Sequence, residues 1–336
     1  MSSLASSTPP AVPARTRRIA AIDIAKGVAI LAMVVYHFSW DLSAYQLIGA
    51  DVGADPGWRI FARSIAATFL FLVGVNLVLA NRHGVRPGPY ARRLAIILGA
   101  ALLVTAATWY LFGPNGFVFF GILHLIVVAS ILGVPFLYAP AWVALPFAAF
   151  FLAGAHVLAT PAFNGWGFYW LGLSTALPAS FDYVPLFPWF GVVLLGLFAG
   201  RLIVRHPDGR PWRWRPHARP WSLLALAGRW SLLIYLVHQL VLYPLVGWVA
   251  PLVGPSHAAL MRQFVAQSET RCAVAGYADA ACRPFARCLA DAFEGDAAFL
   301  ADYWRGALDD DDSRRFLDAE AACQDRFLLP AGGGAI

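Results

Sequence analysis

Long apolar runs separated by short polar gaps dominate this chain. Stretches able to cross about 30 Å of hydrocarbon, roughly 20 residues each, recur seven times. They lie near 22–48, 58–80, 93–112, 117–138, 140–160, 186–204 and 223–252. The shortest separators, Gly113-Pro114-Asn115 and Ala139-Pro140, leave only tight reversals between neighbouring runs. The pattern predicts an all-α fold: a polytopic transmembrane helix bundle of about seven spans with a small C-terminal helical soluble tail. Three regions follow. Residues 1–17, rich in Ser, Ala and Pro, read as a disordered cytoplasmic N-terminus, 18–254 as the transmembrane domain and 255–336 as the Cys-containing tail. Asp23 and Lys26 punctuate the entry to the first run, which is too long for a cleaved signal, so that run is expected to be retained.

Composition strengthens this reading. Of 336 residues, 60% are hydrophobic and only 13% charged, against about 45–50% and 25% in soluble domains. That excludes most soluble enzymes. The net charge of +6 does not call for nucleic acid, because the arginines sit in the gaps: Arg15, Arg17 and Arg18, then Arg82, Arg86, Arg92 and Arg93, then Arg201, Arg205, Arg210, Arg213, Arg215 and Arg219. Every second gap is basic, as the positive-inside rule requires, which places the N-terminus in the cytoplasm of a bacterial-type inner membrane. The opposite gaps carry Asp51, Asp55 and the aromatic stretch Phe163 to Trp170. Seven crossings put the tail in the periplasm or outside the cell. Its 13 acidic residues face 8 arginines, and it holds all four cysteines, Cys272, Cys282, Cys288 and Cys323. An oxidising location favours two disulfides, whose pairing the sequence leaves open among three choices. The tight C-x-x-C spacing of a zinc site is absent, and no metal is expected.

Charged groups in hydrocarbon cost on the order of 2.5–3.5 kcal/mol each, so those that persist face a bundle interior or a wet cavity. The first run carries Asp23, Lys26, His37 and Asp41 in steps of 3, 11 and 4, close to one helical face. Asp23 and Lys26 are expected at the cytoplasmic mouth, and His37 and Asp41 one turn apart toward the outside. Two readings apply to that pair: an acid–base or ligand-binding site, and a polar contact holding helices together. Arg63 in the second run is expected at the depth of Asp41, either as its ionic partner or as an anchor for an acidic substrate. His124 and His238 are expected within the fourth and seventh runs, as hydrogen bonders between helices or as parts of a polar cavity. Asp182 and Trp189 flank a two-proline entry to the sixth run, either as an outer substrate entrance shared with His238 or as an interfacial turn.

Four stretches together resemble one family. Asp23-Ile24-Ala25-Lys26-Gly27 is similar to the D-x-x-R-G opening of the heparan-alpha-glucosaminide N-acetyltransferase catalytic-domain family. Phe69 to Gly74, Phe120 to His124 and Asp182 to Trp189 resemble further stretches of its bacterial branch. The resemblance spans roughly 18–250 and omits the tail. It implies a membrane acyltransferase that takes an acyl group, in the first instance acetyl, from cytoplasmic acyl-CoA as co-substrate and delivers it to a sugar amine or hydroxyl of an envelope glycan. Two positions depart from the family. Lys26 replaces Arg and loses its planar fork, and Asp55 stands where the lysosomal enzyme has its acting histidine, before Trp58. The resemblance therefore points to His37 as the substitute, oriented by Asp41, with Arg63 or His124 stabilising the oxyanion or positioning the acceptor. Asp23, Lys26, Arg92 and Arg93 would serve the donor. A proton-coupled permease or flippase for an anionic or glycolipid substrate is the alternative from another class. Oligomeric state is left open.

Overall fold

The computed structural model describes residues 19–205 and 218–328, and every regular element among them is helical. The expected disordered N-terminus 1–17, together with Arg18, His206, Arg210, Arg213, Arg215 and His217, lies outside the described residues. In chain order the α-helices are α1 (Ala20–Ala44), α2 (Pro56–Ala80), α3 (Pro87–Phe112), α4 (Ile122–Leu132), α5 (Val134–Tyr138), α6 (Ala144–Val157), α7 (Leu186–Arg205), α8 (Arg219–Arg229) and α9 (Ser231–Val253). The tail then folds as α10 (His257–Val274), α11 (Asp279–Asp291), α12 (Ala297–Arg305) and α13 (Asp310–Phe327).

Five helices, α1, α2, α3, α7 and α9, are long and apolar enough to cross a membrane. The expected run 117–138 is not one continuous helix. Its first residues are non-helical, and Gly133 and Pro135 split the remainder into α4 and the five-residue α5. The run 140–160 yields a short apolar helical segment, Ala141–Val157. The run 223–252 is also divided, because the first helix stops at Trp230 and α9 begins afresh at Ser231. The separated α8 is amphipathic: Ala225 and Gly228 are buried, whereas Trp221, Leu223, Leu226 and Trp230 are exposed. That pattern suits a helix lying in a membrane interface.

The chain divides into two compact units, one made of residues up to Ala32 with Ser64–Leu236, the other of Met33–Arg63 with everything from Val237 onward. In the first, α7 is central. Its Phe190, Val193, Leu194 and Leu197 are almost wholly buried against Leu70, Leu77, Leu125, Ala144 and Ala148. Lipid gives helices no hydrophobic drive to associate, so small residues must let backbones approach closely. At the crossing of α2 and α7, a Cβ at Gly196 would run into the backbone oxygen of Phe71, and one at Gly74 into that of Val193.

The second unit contains α1 from Met33 on, the start of α2, most of α9 and the tail. Tail packing centres on Phe264, Phe285, Leu289, Phe293, Phe299 and Leu300, with the rings of Phe293 and Phe299 stacked at 3.8 Å. Two disulfides are present, as the cysteine count and location led one to expect. Cys272–Cys282 ties α10 to α11 and Cys288–Cys323 ties α11 to α13, with Cα separations of 5.5 and 5.9 Å. The acidic run at 309–312 starts a helix: the Asp309 carboxylate accepts from the backbone N–H groups of Asp311 and Asp312, and acids in a first turn favour the helix dipole. The tail also grips the turn after α1. The Ser256 N–H donates to the Gln46 carbonyl at 2.9 Å, Arg262 Nη1 donates to the Gly49 carbonyl at 2.7 Å, and the amides of Gln46 and Gln263 bond to each other. Removing the longer bridge with Cys288→Ser and Cys323→Ser is expected to destabilise the tail by about 2–4 kcal/mol. Limited proteolysis with increasing denaturant measures this, and unchanged protection of the tail would contradict it.

Candidate active site

Helical spacing of four puts His37 and Asp41 on one face of α1, and Tyr45 continues that face in the turn just after it, its N–H donating to the Asp41 carbonyl at 2.9 Å. Along α9, His238, Gln239 and Tyr243 meet them in the same order, so within this unit the two segments run parallel. The rings of His37 and His238 lie 4.9 Å apart and those of Tyr45 and Tyr243 5.2 Å apart. Between these two layers sits the amide of Gln239, its Nε2 3.2 Å from Asp41 Oδ1 and 3.4 Å from His37 Nδ1. Helical rise puts His37 about 10 Å from the tail-side end of α1.

Asp41 has no exposed surface. One of its oxygens receives Gln239, while Oδ2 is buried with no hydrogen-bond partner, as is Oε1 of Gln239. A buried acceptor without a donor costs on the order of 1–3 kcal/mol, more for a charged group, and calls for a reason. The cluster thus holds two unmet acceptors beside an imidazole, a composition suited to receiving the N–H or O–H of an incoming molecule. The expected direct carboxylate–imidazole contact is not what forms. Among the described residues no ion pair joins His37 to Asp41, because the longer Gln239 side chain reaches both and intervenes.

His37, Asp41, His238 and Gln239 fall within 18–240, the stretch that matches the family described as Heparan-alpha-glucosaminide N-acetyltransferase, catalytic. The match covers about two-thirds of the 336 residues. The chain belongs to this family. No curated protein and no solved structure matches it. The disulfide-bonded tail lies beyond the acetyltransferase match, whereas Gln239 falls just inside its end.

The other candidate positions distribute unevenly. Arg63 does not pair with Asp41: it is exposed on α2, and among the described residues no ion pair links the two. Asp23, in the family's opening motif, bonds instead to Arg229 of α8 at 3.5 Å. A Cβ at Gly228 would meet the Asp23 backbone oxygen, so α8 packs directly on the first turn of α1. Lys26, partly buried, follows one turn later. Arg92 and Arg93 line a groove of about 640 Å³ together with Pro89, Ile96, Ile97 and Leu232. Trp189 packs against the core around α7.

His124 and Asp182 come together at the start of α4. The Gly121 N–H donates to His124 Nδ1 at 3.2 Å and the Ile122 N–H donates to Asp182 Oδ2 at 2.9 Å, so two unpaired donors of a helix N-terminus are met. With Nδ1 accepting, Nε2 carries the His124 proton and faces Thr105 Oγ1 at 3.3 Å, whose hydroxyl donates to the Val118 carbonyl at 2.6 Å. Both ring nitrogens are thereby engaged within the fold. Asp182 also accepts from the Tyr235 hydroxyl at 3.1 Å. Burial pushes its carboxyl above the usual carboxylate range, and the bonds from Ile122 and Tyr235 offset this only in part.

Gln239 and Tyr235 are the residues that sequence reasoning missed. Gln239 is the only side-chain amide in α9, which was the available signal: an amide within a hydrocarbon-facing run must find polar partners. Asp182→Ala is expected to lower stability by about 1–3 kcal/mol, because it removes the acceptor of the Ile122 N–H at the start of α4. Asp182→Asn, which keeps an acceptor oxygen, should cost much less. Thermal unfolding in detergent compares the two, and equal losses would refute the capping role.

Proposed function

We propose that this chain is an inner-membrane acyltransferase that moves an acyl group, most simply acetyl, from cytoplasmic acyl-CoA to a sugar amine or hydroxyl of an envelope glycan. The observation that carries the proposal is the fully buried Asp41, with an unmet oxygen, grouped with His37, His238 and Gln239 in a chain of the acetyltransferase family. Acyl transfer from a thioester needs a group to receive the acceptor's proton and a donor for the oxygen that becomes negative. Asp41 and His37 are the pair for these tasks. The acidic phosphates of the donor are drawn to the basic side of the chain, where Arg92 and Arg93 edge an otherwise apolar groove. Lys26 belongs to the same basic side in the alternating pattern. Asp23, held by Arg229, orders that end of α1.

Two independent features support the orientation. The gaps rich in Arg mark the cytoplasmic side. Disulfides persist in oxidising compartments, and the tail that carries them grips the turn immediately after α1. Both features support a reading in which the Asp41 end of α1 faces the outside, where an envelope glycan would be met.

Purified protein in liposomes with radiolabelled acetyl-CoA and an amino-sugar glycan acceptor tests the proposal. Wild type is expected to label the acceptor, and His37→Ala to reduce the rate by about 100-fold or more. Undiminished transfer by His37→Ala would remove His37 from the mechanism. Solute uptake driven by a pH gradient without acyl-CoA would favour a permease instead.

A further inference from the structure

We infer that Gln239 is a positioning residue that makes His37 a hydrogen-bond donor rather than the base of the reaction; this deepens the acyl-transfer reading and rests on it. An ionised Asp41 oxygen only accepts, so the Gln239 atom 3.2 Å from it is the amide nitrogen. The same nitrogen lies 3.4 Å from His37 Nδ1. Its two hydrogens therefore have one acceptor each, and both acceptors are used. A neutral imidazole that accepts at Nδ1 carries its proton at Nε2.

This is the reverse of the arrangement in which a carboxylate receives Nδ1–H and leaves Nε2 free to take a proton. His37 instead presents an N–H. In thioester attack a neutral imidazole N–H stabilises the charge growing on the carbonyl oxygen. The base is then Asp41, whose Oδ2 is buried with no donor. The lone pair of the acceptor nitrogen or oxygen forms the new bond to the acyl carbon, and the C–S bond breaks with its electron pair on sulfur. The acceptor's proton passes to Asp41 Oδ2 and from there to the thiolate. Products are the acylated acceptor and free CoA thiol, and His37 keeps its proton throughout.

Nitrogen NMR of protein labelled at the imidazole nitrogens, with His37 assigned by the signals lost in His37→Asn, reads the tautomer directly. The wild-type ring is expected to be protonated at Nε2 and bare at Nδ1. A ring protonated at Nδ1 and bare at Nε2 would overturn the inference. Gln239→Glu replaces the donating amide with an acceptor-only carboxylate. It is expected to move the His37 proton to Nδ1 and to slow transfer roughly 100-fold, with KM for acyl-CoA unchanged. A folded Gln239→Glu protein that keeps the wild-type tautomer also overturns the clamp. The spectra need no turnover. A wild type that transfers nothing would sink the acyltransferase reading while the spectra still judge the role of Gln239.

Discussion

A carboxylate with no exposed surface, set into a helix long enough to cross a membrane, is the constraint around which the pairing of α1 with α9 is arranged. Burying such a charge costs several kcal/mol even after relaxation, and only well-placed donors offset it. Asp41 draws one donor from Gln239, which requires α9 to run beside α1 in matching register. The same register sets His238 against His37 and Tyr243 against Tyr45. One polar contact thus accounts for a seam of six side chains. It leaves the second Asp41 oxygen without a protein donor.

The residues with chemical potential divide into those the fold uses up and those it leaves available. His124 has both ring nitrogens engaged, and Asp182 caps α4 while accepting from Tyr235. Asp23 is tied to Arg229. The His37–Gln239–Asp41 group retains unmet acceptors. Membership of the acetyltransferase family fixes the class of chemistry to consider, and this contrast between engaged and available groups selects where in the chain it is assigned.

Much of this was legible in the residues before any coordinates. Hydrocarbon thickness makes long apolar runs unambiguous, so α1, α2, α3, α7 and α9 each fall within an expected run or extend it by a few residues. The breaks inside the runs 117–138 and 223–252 were not foreseen, because hydropathy does not register where a helix is interrupted. Pro135 and the stop at Trp230 depend on local hydrogen bonding that an apolar average conceals. The polar stripe of α1 was visible from its spacing, since a period near 3.6 places 37 and 41 on one face. Its partner was not. Nearly two hundred residues separate Gln239 from Asp41, and a local pattern carries no information about which distant segment lies alongside. The pairing of Arg63 with Asp41 failed for the same reason: matched depth in two helices does not establish that their side chains face each other.

The central claim concerns where the thioester meets its acceptor. It is tested most directly by an experimental structure of the protein in lipid nanodiscs with a non-hydrolysable acetyl-CoA analogue and an amino-sugar bound. The account predicts the acyl carbonyl oxygen within about 3 Å of His37 Nε2 and the acceptor heteroatom at similar distance from Asp41 Oδ2. An acyl group and acceptor held together elsewhere, with Asp41 still enclosed by protein alone, would contradict it.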